Sequence, residues 1–344
     1  MNSLNVLITG AGANFNPDLI RCLKDNGERE IKVVATDCID DGFTKSYSDV
    51  FRLVPRVGDD SFVSEMLRVC KEERVDILLP TIDDEIPLLI KDTDKFKHIG
   101  TTISASNIHS VNVCMNKRKL YDVMQKFGIP TPNYRRIENV ESIKSVVQSL
   151  GYPDKPVCIK NTNLAGSRGI RIIDESKSMY DLIMHEKPNS LYASLQQVVD
   201  AFKGHELPDM YAMEYLPGLE YSVDVLADKG KVRYVCGRTS TNVVASIPQN
   251  ARLKRDDYAY DICEKIISVL SIDGNADFDF KCDQQGKPVL LECNPRLAAT
   301  MAIFKEGGLN LPYLRVKQLI GEELPQINVN YNVQMKRMFK EYYI

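Results

Sequence analysis

"FDFKCDQQGKPVLLECNPR", residues 278–296, reads as two strands joined by a turn. Apolar residues recur along both arms, and Gln285-Gly286 supplies the glycine that a two-residue hairpin turn needs for its positive φ. With that turn Asp279 stands opposite Glu292, and Asp277 opposite Asn294. Alternate residues of a strand share a face, so Glu292, Asn294 and Arg296 follow one another along a face that should have been apolar. Like charges placed directly opposite each other destabilise a sheet, and desolvation adds to the cost. A divalent cation removes the conflict. Mg²⁺ takes oxygen ligands, commonly one or two carboxylates plus substrate phosphates, and Asp279, Glu292 and the Asn294 amide form such a set. From the hairpin alone, a solvated polar face stands as the alternative, because a one-residue slip in register separates the acids.

The chain has 344 residues, enough for two or three domains. Residues 1–105 alternate strand-like runs (NVLITG, IKVVATD, VDILLPT, HIGTTIS) with amphipathic stretches, the pattern of βαβ units and a parallel sheet. Their first turn, TGAGANF, begins a dinucleotide fingerprint at Gly10 and Gly12 but places Phe15 at the third glycine, so the match is broken. Residues 106–212 hold linking helices and a compact α+β stretch, with strands over 157–160, 170–173 and 210–216 and helices over 117–127, 139–150, 176–186 and near 192–200. Residues 213–344 are strand-rich, with helices over 256–270 and near 312–320.

Composition narrows the chemistry. A net charge of −3 leaves no basic field for nucleic acid or an anionic membrane. The N-terminus runs straight into a strand, and no apolar run approaches the ~20 residues of a membrane span, so a soluble cytoplasmic protein is expected. Nine cysteines are scattered singly, and four histidines form no metal-binding or triad pattern. Carboxylates, lysine and arginine are left to do the work.

Two further stretches carry such groups. Lys160 ends the strand PVCIK just before AGSRG, where Gly166 and Gly169 allow the backbone, Ser167 and Arg168 to wrap a polyphosphate; a plain surface turn is the alternative. In YAMEYLPGLEYSVDVL a strand breaks at Pro217-Gly218 and resumes at Glu220. Its backbone could face an adenine edge and Glu220 the ribose hydroxyls, or it is simply a hinge.

In order along the chain, "MNKRKLYDVMQKFGIPTP" (115–132), "PVCIKNTNLAGSRGIRII" (156–173), "MEYLPGLEYSVDVL" (213–226) and the opening hairpin, behind a Rossmann-like lead domain, resemble the ATP-grasp superfamily. The likeness runs to its carbamoyl-phosphate-synthase-like and biotin-carboxylase-like branch. It implies an α/β and α+β fold with an N-terminal Rossmann-like domain, a small α+β lid and a C-terminal antiparallel-sheet subdomain, with ATP bound between the last two. Lys117 and Lys160 would contact ATP, and the Ser167–Arg168 loop would close over the γ-phosphate. Glu214, Tyr215 and Leu216 would lie at the adenine, and Glu220 at the ribose. Asp279, Glu292 and Asn294 would hold Mg²⁺, with Mn²⁺ as a substitute, and Arg296 would steady the transferred phosphoryl group. Asp279 replaces the Glu or Gln common there, which leaves one or two metal ions open. The implied reaction is ligation of a small-molecule carboxylate to an amine through an acyl phosphate. No carrier motif or glutaminase accompanies it, so a stand-alone ligase is expected. Arg238, together with Arg252, is a candidate for the acceptor carboxylate. The rival readings are an ATP-binding regulator without turnover and an NAD-dependent oxidoreductase using the Gly10–Gly12 turn. A homodimer is left open.

Overall fold

Among the described residues, sixteen strands fall into three sheets that follow one another along the chain. The computed structural model describes residues 3–40, 45–164, 168–186, 191–244 and 247–338. Its contacts divide the chain into two units, one of residues 1–115, 220–280 and 292–344, the other of residues 116–219 and 281–291.

In the first unit, β1 (Leu4–Ile8), β2 (Ile31–Asp37), β3 (Val50–Leu53), β4 (Ile77–Leu79) and β5 (Thr102–Ile103) form a parallel sheet in the order β3-β2-β1-β4-β5. Helices cover both faces, which is why β1 and β2 are apolar along nearly their whole length. Val6, Ile8, Val33 and Ala35 pack with Leu19 and Leu23 of the helix Asn16–Lys24 and with Met301 and Val316. Leu7, Val34 and Leu78 pack on the other side with Phe62, Met66 and Val69 of the helix Phe62–Glu72. β3 adds a strand beyond those expected. It is a short edge strand whose last two residues are exposed, so it lacks the apolar pattern of its neighbours.

The second unit holds β6 (Tyr134–Ile137), β7 (Val157–Asn161), β8 (Ile170–Ile173), β9 (Tyr192–Ala193) and β10 (Met210–Glu214), in the order β6-β10-β7-β8-β9. Val157, Ile159, Ile173, Met210 and Ala212 form its core with Ile143 and Val147 of the helix Ile143–Ser149. The helix expected near 192–200 spans Leu195–Phe202 instead. Ser194 and Gln197 form a capping box that fixes its start, which leaves Tyr192–Ala193 free to pair with β8.

The third sheet has the order β15-β14-β11-β12-β13-β16, built from β11 (Glu220–Asp228), β12 (Lys231–Val244), β13 (Ile247–Leu253), β14 (Gly274–Cys282), β15 (Pro288–Asn294) and β16 (Gln334–Lys336). β11 and β12 close on Lys229-Gly230, both at positive φ, as a two-residue hairpin requires. The turn between β14 and β15 differs from the expected two-residue form. Asp283 N–H donates to the Lys287 carbonyl at 2.9 Å and Gly286 N–H to the Asp283 carbonyl at 3.1 Å, so Gln284, Gln285 and Gly286 make the turn. The cause is Asp283, whose carboxylate accepts the N–H groups of Gln285 and Lys287, each at 2.9 Å. Among the described residues, no helix is long and apolar enough to cross a membrane.

At the C-terminal ends of β1 and β4 the parallel sheet buries a carboxylate. Glu85, 1% exposed, closes the short 3₁₀ turn Asp83–Glu85. Its Oε1 accepts from the Thr9 hydroxyl and, at 3.1 Å, from the N–H groups of Thr81 and Ile82. Burial lifts its pKa from 4.5 to about 7, against the pull of these donors. The folded chain therefore keeps this proton after the unfolded chain has lost it, and stability falls as pH rises through that window. Glu85→Gln retains an acceptor for the donors and cannot ionise. In urea denaturation, its stability relative to wild type should rise by about 3 kcal/mol between about pH 5 and about pH 8, the linkage equivalent of the shift. A pH-independent difference would contradict it.

Candidate active site

Strand register in the first unit gathers charge on one face of the third sheet. Ser222 pairs with Arg238 across β11 and β12, so these two and Asp224 share a face. Arg238 Nη1 donates to Asp224 Oδ2, and its Nη2 lies 3.5 Å from Asp277 Oδ1. The Ser222 hydroxyl donates to Asp279 Oδ1 at 2.7 Å. Asn294 Nδ2 sits 3.5 Å from Asp277 Oδ2 and 3.4 Å from Asp279 Oδ2. The wider turn notwithstanding, Asn294 thus shares the face of Asp277 and Asp279, as the hairpin reading requires.

Arg296 approaches from just beyond β15. Its Nε lies 3.0 Å from Asp83 Oδ1 and its Nη2 3.4 Å from Asp83 Oδ2, a forked pairing, while Nη1 is 3.8 Å from Asp277 Oδ2. The 3₁₀ turn held by Glu85 therefore also delivers the carboxylate that orients Arg296.

Electrostatics on this face are unbalanced. Asp224 is raised to about 6 by burial, with Arg238 opposing and Asp279 adding to the rise. Asp277 and Asp279 are raised as well. Burial is the first cause in both, followed by Asp224 for Asp277 and by Asp277 and Glu292 for Asp279. Burial works against the charge of Arg238, but Asp224, Asp277 and Asp279 outweigh it and raise its pKa. Carboxylates crowded until they hold protons are sites where a hard cation would bind and displace them. Among the described residues, no three His, Cys, Asp or Glu side chains group closely enough to hold a metal by themselves. Asp279 and the Asn294 amide, with Glu292 near enough for its charge to act on Asp279, are the groups that would have to hold a cation, its remaining ligands supplied by phosphates and water.

Arg238 was a candidate for the acceptor carboxylate, with Arg252 as another. The register separates them, because Arg238 pairs with Leu253 and Thr239 with Arg252, so the two arginines point to opposite faces. Arg238 is 3% exposed and engaged with acids, whereas Arg252 is exposed. Asp224, Ser222 and Asp83 join the site without having stood out in the sequence. Asp224 lies in the ordinary strand run SVDVL, and Asp83 in what reads as a helix start.

The second unit collects cations and an aromatic ring. Lys160, 8% exposed, pairs with Tyr211 across β7 and β10, and Cys158 lies on the same face two residues earlier. The thiol of Cys158 is raised by burial, with Lys160 and Lys281 pulling the other way. Lys281 Nζ lies 5.9 Å from the Tyr215 ring centroid. Lys281 lies within the opening hairpin but had no role assigned from the sequence; it enters through this contact and its pull on Cys158. Leu216 is buried, and the Glu214 carboxylate accepts the Asn133 N–H at 2.8 Å. Lys117 opens the helix Lys117–Lys126, with its Nζ 3.4 Å from the Leu164 carbonyl. Arg168 is exposed, and Gly169 follows at φ +68°, where a Cβ would meet that of Asn161 at 2.8 Å. Ser167 and Gly166 lie outside the described residues. Glu220, half-buried, begins β11 in the first unit.

The Gly10–Gly12 turn spends its donors internally. Ala11 N–H donates to Thr36 O at 3.0 Å, Gly12 N–H to Asp37 Oδ2 at 2.7 Å, and Ala13 N–H to Gly10 O at 3.0 Å. A pyrophosphate would find these groups already engaged.

The charge geometry gives Arg238 a measurable role. Replacing it by Met leaves buried carboxylates facing one another, and should cost about 3–5 kcal/mol in urea denaturation at neutral pH, whereas Arg252→Gln should stay within about 0.5 kcal/mol of wild type. Equal, small effects would place Arg238 outside this network.

Residues 6–104 match a family described as PylC-like, N-terminal domain, and residues 206–341 one described as ATP-grasp in the biosynthetic pathway with Ter operon. The carbamoyl phosphate synthase large chain of Thermoplasma acidophilum is 22% identical over 293 residues, covering 80% of this chain but 26% of that protein. This chain thus spans about a quarter of the length of that relative. Among solved structures, the biotin carboxylase domain of Hydrogenobacter thermophilus 2-oxoglutarate carboxylase, in complex with MgADP, ADP and bicarbonate, is similar at a TM-score of 0.70 and 18% identity, covering 96% of this chain and 73% of that one. N5-carboxyaminoimidazole synthetase from Staphylococcus aureus is similar at a TM-score of 0.67 and 15% identity, covering 94% and 78%. Residues 206–341 thus match an ATP-grasp family behind a PylC-like N-terminal stretch, and the chain is similar to carbamoyl-phosphate-synthase and biotin-carboxylase members of the ATP-grasp superfamily.

Proposed function

We propose that the protein is a Mg-ATP-dependent, ADP-forming ligase that activates a carboxylate as an acyl phosphate and joins it to an amine. The observation that supports this most is the single face bearing Asp277, Asp279, Asn294 and Arg296, where buried, crowded acids raised above the usual carboxylate range stand beside an oriented guanidinium. In this reading Asp279, Glu292 and Asn294 hold the cation, which neutralises charge on the nucleotide phosphates when bound. Arg296, oriented by Asp83, faces the phosphoryl group in transfer. Lys117, Lys160 and Arg168, with Ser167, take the phosphates. Tyr215, Leu216 and the backbone beside Glu214 take the base, and Glu220 the ribose. Arg238 acts through Asp224 and Asp277, so it is a positioning residue in this proposal.

The chemistry is balanced without a histidine. A carboxylate oxygen attacks the γ-phosphorus, the bond to the departing ADP oxygen breaks, and the amine nitrogen then attacks the acyl carbon, releasing phosphate and a proton. The Hydrogenobacter relative is described as a dimer, which supports a homodimer here. Against the regulator reading stands the complete set of Glu292, Asn294 and Arg296. Against an oxidoreductase stand the engaged N–H groups of the Gly10–Gly12 turn.

Mg²⁺-dependent ADP release against a panel of carboxylic acids, amino acids included, with and without amines, tests the proposal. One acid should stimulate release and an amine should raise it further. With that acid, Arg296→Met should lower kcat about 10²–10³-fold, the loss typical of one electrostatic stabiliser of a transition state. Lys160→Met should chiefly raise the KM for ATP. If no acid stimulates turnover while ATP still raises the melting temperature, the regulator reading replaces this one.

A further inference from the structure

The outward face of the third sheet, opposite the acid-bearing one, carries a trough of about 370 Å³ along β12, β13 and β16. Register sets its polar lining in two rows across three strands. Thr241, Asn250 and Lys336 form one row, and Thr239, Arg252 and Gln334 the other. Arg238 and Ser240 alternate with Thr239 and Thr241, so this surface faces away from Asp224 and Asp277.

Three properties distinguish the trough from an ordinary solvated surface. Among the described residues, no acidic side chain lines it, and Arg252 and Lys336 show no ion-pair partner. Second, these cations are diagonal neighbours on paired strands, about 7–8 Å apart at that position in a sheet, so they repel each other across a short span. Third, β16 is held firmly. Arg337 N–H donates to Gln249 O at 2.8 Å, its Nε to Pro248 O at 3.0 Å and its Nη2 to Ala299 O at 3.0 Å. Two exposed cations side by side on a firmly held strand pair, with amides and hydroxyls around them, attract an anion able to bridge them.

We infer that this trough is a second ligand site, separate from the acid face, for a small dianion such as a phosphate monoester or a short dicarboxylate. Arg252 and Lys336 take the two charges, while Asn250, Gln334, Thr239 and Thr241 bond to the rest of the ligand. A volume at the low end of small-molecule pockets suits a metabolite-sized effector and not a macromolecule.

Isothermal titration with inorganic phosphate and with succinate, at constant ionic strength set by chloride, tests this on the full chain. The titrations are run with and without saturating Mg-ADP, to separate this site from any phosphate site on the opposite face. Wild type should bind one of the two dianions saturably under both conditions, and the better probe identifies the ligand class. Arg252→Gln and Lys336→Gln should each weaken that binding at least about tenfold, the loss expected for a charged contact worth about 1.4 kcal/mol. Mg-ADP binding should be unchanged in both variants. Binding abolished by Mg-ADP, unaffected by both substitutions, or no greater than that of chloride would overturn the inference.

Discussion

Arg238 is a fully buried cation, and its pairing with Asp224 and Asp277 is the constraint on which the third sheet depends. Without it, β11 and β14 would present carboxylates to each other in a low-dielectric interior, where an unpaired charge is costly. With it the face is held together and still left short of positive charge. Asp277 and Asp279 are raised above the usual carboxylate range, first by burial and then by the acids around them, which one guanidinium inside and another at the edge do not balance. The arrangement stores unfavourable electrostatics in the place where a cation and a polyphosphate would relieve them.

The same economy links the parallel sheet to this face. Glu85 ties the ends of β1 and β4 through three donors, and the turn it closes presents Asp83 to Arg296. The lead domain thereby contributes a residue to the candidate site. Its own glycine turn has its N–H groups committed to Thr36, Asp37 and Gly10.

Much of this was legible in the sequence, and the limits have physical causes. Period-two and helical patterns located most elements, and IRII at residues 170–173 falls on β8 to the residue. The shared face of Asp277, Asp279 and Asn294 followed from strand alternation, even though Asp283 widens the turn that was to set the register. β3 escaped because an exposed edge strand has no apolar signature. Asp224 and Glu85 escaped because burial of an acid depends on strands distant in the chain, and Asp83 because its partner Arg296 is just as distant. Arg238 and Arg252 looked alike in "GRTSTNVVASIPQNARLKR", and only the pairing of β12 with β13 sends them to opposite faces. The two-unit division also leaves no trace in composition, since residues 281–291 rejoin residues 116–219 from within a single hairpin.

The central claim is that the acid face holds a divalent cation together with a nucleotide. It is tested most directly by electron paramagnetic resonance of Mn²⁺ with ADP, which needs no knowledge of the carboxylate or amine. Wild-type protein should deplete the free Mn²⁺ signal in an ADP-dependent manner, and Glu292→Gln should restore most of it while the protein remains folded. An unchanged Mn²⁺ signal on adding wild-type protein and ADP, or equal depletion by the variant, would contradict the assignment of Asp279, Glu292 and Asn294 to the metal.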